Sequence, residues 1–173
     1  WRFAMLITKD KFSSQFKFCP VVTDQKDLLD KNGKVLLSIF GSIIPNKILD
    51  RFDRCFNVHP GPITHPGRDP HHWAIYDRSK WFGVTVHFMT EKVDEGTIIY
   101  TRPFRIESRS PAELRDEANK IAILVMNDIG PKLINGSYIF PTLAEDWCGK
   151  KRSRKDTIEM ARKTRHAAFT GFF

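Results

Sequence analysis

The segment that decides the fold is CFNVHPGPITHPGRDPHHWAIYD, residues 55–77. It opens as an apolar strand and continues into a loop, and it contains four histidines, four prolines and two glycines. Asn57 and His59 stand two apart, so both side chains leave the same face of an extended strand. Pro60 ends the strand and leaves this pair at its rim. We therefore expect a functional site here rather than plain core.

The flanking segments alternate between strand and helix patterns. KVLLSIF (34–40) is apolar and partly β-branched, as in a strand buried on both faces of a parallel sheet. Further strands are predicted over 2–8, 55–60, 83–90 and 97–106, and a loop over 9–20. Helices are predicted within 21–33 with Asp24 as N-cap, near Pro45, over 69–79, and from Ser110 to Asn135. Strands alternating with helices predict an α/β fold with a Rossmann-like, mainly parallel sheet.

Composition and charge limit the possible classes. A chain of 173 residues predicts one domain. The longest apolar run, VLLSIFGSII (35–44), is about half of a membrane span. Three scattered cysteines, Cys19, Cys55 and Cys148, form no disulfide framework, which indicates a reducing compartment and a cytoplasmic location. The first residue is Trp1, so we expect a piece of a longer protein.

The net charge of +8 is concentrated at the C-terminus. From Lys150 onward there are eight basic and two acidic residues. We therefore predict two regions: residues 1–145 as the main domain and 146–173 as a small basic C-terminal segment. Such a segment suits phosphorylated ligands, nucleic acid or an anionic surface, but it also suits a solvated helix, and both interpretations stay open.

A second polar feature, TEKVDEG (90–96), also follows a predicted strand. An Asn amide donates hydrogen bonds, a His moves protons near neutral pH, and an Asp orients the His. Asn57, His59 and Asp94 could together stabilise an oxyanion and move a proton, as acyl transfer requires. No side-chain nucleophile is evident, so the acceptor would be the substrate itself. A strand-end turn with a satisfied histidine remains the alternative.

The remaining histidines and tryptophans have simpler interpretations. The spacing of the histidines at 59, 65, 71 and 72 fits no tetrahedral zinc pattern, and no metal is expected. His65, His71 and His72 are predicted on a loop or a helix surface, and His87 is predicted to face a neighbour across the sheet. Trp73, Trp81 and Trp147 are predicted to be packing residues, although Trp81 beside Phe82 could flank a ligand.

Three segments carry a resemblance to a known family. FNVHPG (56–61), PGRDPHHWAI (66–75) and GVTVHFMTEKVDEGTII (83–99) resemble the folate-dependent formyltransferases. The shared pattern is Asn-x-His-Pro at a strand end, a Gly in the next loop and a later Asp-x-Gly. The resemblance runs from about Val35 to Leu133. The segment before Asn57 is shorter than is usual in the family, which leaves open whether the opening strand or crossover is present.

The resemblance implies a reaction and a fold of the formyltransferase type. The donor would be 10-formyltetrahydrofolate and the acceptor a primary amine. Asn57 would hold the formyl oxygen, His59 would stabilise the tetrahedral intermediate and move a proton, and Asp94 would orient His59. The folate would lie against the segment after the third strand and under a later loop. Its contacts would be Gly41, Ser42, Ile43, Ile44, Met89, Glu91, Lys92 and Val93.

The acceptor is the least defined part of the prediction. A short core with a basic C-terminal segment favours an amino-sugar nucleotide, a small phosphorylated amine. Methionyl-tRNA, glycinamide ribonucleotide, hydrolysis of the folate donor and a non-catalytic module that binds RNA or a partner stay as alternatives. The loop at 61–72 lacks the leucine-rich form found in the tRNA and purine enzymes. A nucleic-acid partner is therefore open but not favoured, and no membrane partner is expected.

Overall fold

The computed structural model describes residues 4–107, 110–143 and 145–164. These residues form six strands, five α-helices and one 3₁₀-helix (Gln25–Leu28). The strands are β1 (Ala4–Ile7), β2 (Val21–Val22), β3 (Gly33–Ile39), β4 (Phe52–His59), β5 (Trp81–Phe88) and β6 (Ile98–Arg105). The helices are α1 (Asp10–Ser13), α2 (Asn46–Leu49), α3 (Pro70–Tyr76), α4 (Pro111–Asn135) and α5 (Arg154–Thr164).

The strands form one sheet in the order β2-β1-β3-β4-β5-β6. β2, β1, β3 and β4 run parallel, whereas β5 is antiparallel to β4 and β6 is antiparallel to β5. The predicted α/β class with a mainly parallel sheet is therefore confirmed. The antiparallel edge was not predicted, because alternation along a strand indicates its faces but not its direction.

The two faces of the sheet are covered by different helices. Phe56 and Val86 pack with Val125 of α4 in one buried cluster. Cys55 packs with Ile48 of α2 in a cluster on the opposite face. Because side chains alternate along a strand, Cys55, Asn57 and His59 project from the face opposite α4. The polar side chains of β4 therefore point away from the main core, although β4 is a central strand.

Helix ends follow the predicted signals. The Asp24 side chain accepts from the N–H of Lys26 at 2.9 Å and begins the 3₁₀-helix. The Ser110 hydroxyl accepts from the N–H of Glu113 at 3.3 Å and begins α4. α4 continues through Pro131 and ends at Gly136, whose φ of +80° suits a glycine cap.

Two short elements were missed. α1 lies in the predicted loop, and β2 lies in a segment predicted to contain only a helix. β2 has two residues, too few to show any periodicity, and it forms because it docks on the edge of β1. There the N–H of Leu6 donates to the carbonyl of Pro20 at 2.9 Å, and that of Thr8 to Val22 at 3.1 Å. Tertiary pairing, not local propensity, makes this strand.

The basic C-terminal segment packs on the domain as far as it is described. Trp73 of α3 is buried with Met160 and Ala161 of α5, and its indole N–H donates to the Thr157 hydroxyl at 3.2 Å. The division at 145/146 stays a prediction, and the aromatic ending 166–173 lies outside the described residues. None of the described helices combines the length and the apolar character that a membrane span requires.

Candidate active site

The candidate site begins with paired residues on β4 and β5. The register places Asn57 opposite His87 and His59 opposite Thr85, on the face away from α4. His59 and His87 are buried and Asn57 is half-buried. The Thr85 hydroxyl donates to the carbonyl of Gly61 at 2.8 Å, which ties the loop after β4 to this polar patch.

Asp94 reaches this patch from the loop between β5 and β6. β5 ends opposite Phe56, not beside His59, so the loop must fold back across the sheet face. Asp94 adopts a left-handed backbone conformation there, with φ of +51°. One carboxylate oxygen, Oδ2, lies 3.6 Å from His59 Nδ1, and the other, Oδ1, lies 3.3 Å from His87 Nε2. The structure thus brings Asn57, His59 and Asp94 together, although not through two matching strand ends as expected.

His87 connects the amide to the carboxylate. Its Nδ1 lies 2.8 Å from the Phe88 carbonyl, which can only accept, so the ring proton belongs on Nδ1 in a neutral imidazole. Nε2 accepts from Asn57 Nδ2 at 3.2 Å when the ring is neutral, and it can donate to Asp94 Oδ1 at 3.3 Å only when the ring is protonated. The prediction of a cross-strand neighbour was right, but the contact with Asp94 was missed. His87 and Thr85 share a face with Asn57, and this spacing was the available signal.

Burial and neighbouring charges determine the protonation states of His59 and Asp94. Burial lowers the pKa of His59 below 6.5, helped by His87, and it outweighs the opposing effect of Asp94. Burial alone would raise the pKa of Asp94, but His59, His87 and the N–H of Gly67 lower it to about 2. At neutral pH the site therefore holds an ionised carboxylate beside a neutral imidazole.

The neutral ring of His59 faces acceptors on both sides. Asp94 Oδ2 lies near Nδ1, and the carbonyl of His65 lies 3.3 Å from Nε2. A neutral imidazole carries one proton, so it can donate to only one of these groups. The other ring nitrogen is left as a base. The arrangement can therefore accept a proton and share the resulting positive charge with Asp94.

Two glycines shape the loop around this pair. A Cβ on Gly61 would collide with His59 Nε2 and would lie 2.8 Å from the Pro70 ring. Gly67 has φ of +88°, which other residues rarely adopt, and its N–H donates to Asp94 Oδ2 at 2.9 Å. The loop thus needs glycine where it touches His59 and where it binds Asp94.

The other histidines of this region have separate positions. His65 Nε2 lies 3.3 Å from Asp77 Oδ2, outside the central cluster. His71 is half-buried and His72 is buried in α3, so the prediction of a surface position for His72 was wrong. α3 packs against α4 through Ala74 and against α5 through Trp73, which the local sequence could not indicate. Within the described ranges, no group of His, Cys, Asp or Glu side chains is arranged to hold a metal ion.

The residues predicted to contact folate occupy two segments of this face. Ile44 is buried and Met89 is half-buried, and both pack in the cluster that contains Cys55. The N–H of Met89 donates to the Cys55 carbonyl at 2.8 Å, which fixes the start of the loop. Ile43 is 69% exposed. The remaining predicted contacts are exposed, except for half-buried Val93: Gly41, Ser42, Glu91 and Lys92.

Comparison with known proteins gives matches over more than half of this chain. The family model described as "Formyl transferase" matches residues 6–123. The methionyl-tRNA formyltransferase of Lysinibacillus sphaericus is 35% identical over 104 residues, which cover 58% of this chain and 33% of that protein. The chain thus spans about a third of the length of this curated relative.

Solved structures show the same fold at low sequence identity. A 4-N formyltransferase from Francisella tularensis matches with a TM-score of 0.75 and 19% identity, covering 92% of this chain and 80% of that one. An N-formyltransferase from Helicobacter canadensis, in complex with folinic acid and dTDP-3-aminofucose, matches with a TM-score of 0.73 and 15% identity. That match covers 90% of this chain and 71% of the other.

Proposed function

Because this chain belongs to the formyl transferase family, we propose that it transfers a formyl group from 10-formyltetrahydrofolate to a primary amine. The observation that carries this proposal is the meeting of Asn57, His59 and Asp94 on one face of the sheet. An amide donor, a neutral imidazole and an ionised carboxylate are the groups that acyl transfer to an amine requires.

Asn57 is proposed to hold the formyl oxygen. One of its amide hydrogens is donated to His87 Nε2, which fixes the orientation of the amide. The second amide hydrogen can then donate to the oxygen as negative charge develops on it. Because the amide is already held in place, little reorganisation is needed at the moment of reaction. Removing such a donor costs about 10²–10³ in rate.

His59 and Asp94 are proposed to move the proton. The amine nitrogen forms a bond to the formyl carbon, the bond from that carbon to the folate nitrogen breaks, and one amine proton passes to the folate nitrogen. Neutral His59 can take this proton first, and ionised Asp94 stabilises the imidazolium that results. A positioned general base contributes about 10²–10⁴ in rate.

The apolar face beside Asn57 supports binding of a flat folate ring. Cys55 precedes Asn57 by two residues, about 7 Å along the strand, and Ile44 and Met89 pack in the cluster of Cys55. Exposed Ile43 extends this apolar surface. We propose that the polar contacts come from Gly41, Ser42, Glu91, Lys92 and Val93. The bound donor would supply the activated formyl group.

We propose an amino-sugar nucleotide as the acceptor. A cavity of about 290 Å³ lies between α3 and the C-terminal segment. Its lining combines Trp73 and Tyr76 with the cations of Lys150, Arg152 and Lys163, and with Asp156, Glu159 and Met160. The exposed ring of Tyr76 suits a base, and Lys and Arg suit phosphates. The structural match in complex with dTDP-3-aminofucose is consistent with this class.

Methionyl-tRNA is the second candidate, because the 35% identical relative is a methionyl-tRNA formyltransferase. The concentrated positive charge of the C-terminal segment would also suit tRNA phosphates. Glycinamide ribonucleotide and water remain as further acceptors, since both would use the same three residues. For the location we propose the cytoplasm, in keeping with the free thiols of Cys19, Cys55 and Cys148.

The test is incubation with 10-formyltetrahydrofolate and separate amines: an amino-sugar nucleotide, methionyl-tRNA and glycinamide ribonucleotide. Mass spectrometry should find one formyl group on the amino-sugar nucleotide. Asn57→Ala should slow product formation by about 10²–10³, whereas Asn46→Ala on the exposed surface of α2 should leave it unchanged. Formylated tRNA alone would replace the acceptor, and free formate alone would indicate a hydrolase. RNA binding with a steep salt dependence and no formyl transfer would identify a binding module.

A further inference from the structure

The C-terminal strap, defined here as residues 145–153, lies along the loop after β4. The N–H of Cys148 donates to the Ile63 carbonyl at 3.2 Å. The N–H of Arg152 donates to Pro66 at 3.2 Å, and its carbonyl accepts from Arg68 at 2.7 Å. A Cβ on Gly149 would collide with the Thr64 carbonyl, so the two segments are in close contact.

The same strap binds the turn that carries Asp94. The indole N–H of Trp147 donates to the Gly96 carbonyl at 2.9 Å. Lys151 Nζ pairs with Glu95 Oε1 at 2.9 Å, although both side chains are partly exposed and this pair adds little by itself. The strap therefore connects the two loops that position the partners of His59. One loop supplies the Gly67 N–H and the other supplies the Asp94 carboxylate.

Between these attachments, the ring of Trp147 lies against the two histidines of the site. Its centroid is 5.8 Å from that of His59 and 5.2 Å from that of His87, with interplanar angles of 74° and 82°. Both contacts are edge-to-face arrangements, which are favourable for aromatic pairs. A large apolar ring at this position keeps water away from the imidazoles.

We propose that Trp147 is a positioning residue of the formyl transfer site: its ring covers His59 and His87, and its N–H holds the Asp94–Gly96 turn in place. The catalytic part of this inference rests on the proposed function. The structural part does not, because it concerns only contacts within the chain. Trp147 thus has a specific task, where the sequence indicated a packing residue.

Loss of the ring has a distinct consequence for His59. The groups that face His59 are the Asp94 carboxylate, the His87 ring, the carbonyl of His65 and Trp147 itself. Since burial is the largest cause that lowers the pKa of His59, opening this side to water should raise that pKa toward 6.5. A role in folding alone would leave the pKa unchanged.

The experiment compares Trp147→Ala and Trp147→Phe with Trp81→Phe, a matched change at an exposed tryptophan on β5. Proton NMR titration of the full chain without substrate follows the His59 ring, assigned from the spectrum of His59→Gln. Trp147→Ala should raise the pKa of His59, and Trp147→Phe, which keeps a ring, should raise it less. Trp81→Phe should leave it unchanged.

Kinetics supply the second readout. Trp147→Phe removes the hydrogen bond to Gly96, so kcat should fall by about tenfold to a hundredfold with little change in KM. In Trp147→Ala the acid limb of the pH–rate profile should move to higher pH, in parallel with the rise in the pKa of His59 found by NMR. An unchanged pKa of His59 in folded Trp147→Ala overturns the inference. If Trp147→Ala does not fold, an unchanged kcat in Trp147→Phe overturns the inference. A wild-type protein without formyl transfer refutes the proposed function, while the NMR result still judges the role of Trp147.

Discussion

Replacing Asp94 by Asn removes a buried charge while keeping the shape of the side chain. The pKa of Asp94 is lowered from 3.8 to about 2 in the folded protein. At about 1.36 kcal/mol for each tenfold change in proton affinity, this difference corresponds to ~2 kcal/mol of stability. Because the folded pKa is the lower one, this stabilisation is present above pH 3.8 and is lost as the pH falls toward 2. About two thirds should be lost by pH 2.5.

The assay is urea unfolding at several pH values between 5 and 2.5, on wild type, Asp94→Asn and Asp53→Asn. Asp53 is exposed on the same strand as His59, so its variant controls for the loss of one carboxylate. The wild-type free energy of unfolding should fall more steeply than that of Asp94→Asn, by ~1–2 kcal/mol over this range. Asp53→Asn should follow the wild type. Parallel curves for wild type and Asp94→Asn would refute the assignment of a charged, stabilised carboxylate at this position.

Two further substitutions and a pH profile test the geometry around His59. Gly61→Ala places a methyl group against His59 and Pro70, so kcat should fall by about 10². The control is Gly136→Ala, at a glycine with open space around it, and this change should reduce only thermal stability. His87→Leu removes the acceptor of the Asn57 amide; kcat should fall with KM nearly unchanged, and a change in KM alone would contradict this role. Because burial lowers the pKa of His59, kcat/KM should fall on the acid side with an apparent pKa below 6.5. An apparent pKa above 6.5 would contradict the role of His59 as a neutral base.

The parts of the site that sequence could indicate are those set by strand alternation. Asn57 and His59 were predicted on one face because they are two apart, and β4 does end at His59. The same rule applied to β5 puts Thr85 and His87 on one face of their own strand, but it does not say which residues of β4 they face. The missing information was the antiparallel register, since pairing of two strands depends on long-range contacts that neither segment shows alone.

The strap is the part that sequence could not indicate. Residues 145–153 have no regular period, and their charges suggested an anionic partner or a solvated surface. Their backbone bonds to Ile63 and Pro66 bridge segments far apart in the chain. Trp147 reaches the site only because these contacts exist. A local pattern identifies an aromatic residue that packs, but it does not identify the residues on which it packs.

The most direct test of the central claim is a double-mutant cycle on the rate of formyl transfer. The claim is that His59 and Asp94 act as one unit on the same formyl carbon. If so, His59→Ala combined with Asp94→Ala should lower kcat by about as much as His59→Ala alone. The first substitution already removes the proton transfer through this pair, so the second has no further effect on kcat. If the two losses multiply, the residues act independently, and the proposed proton transfer through this pair is contradicted.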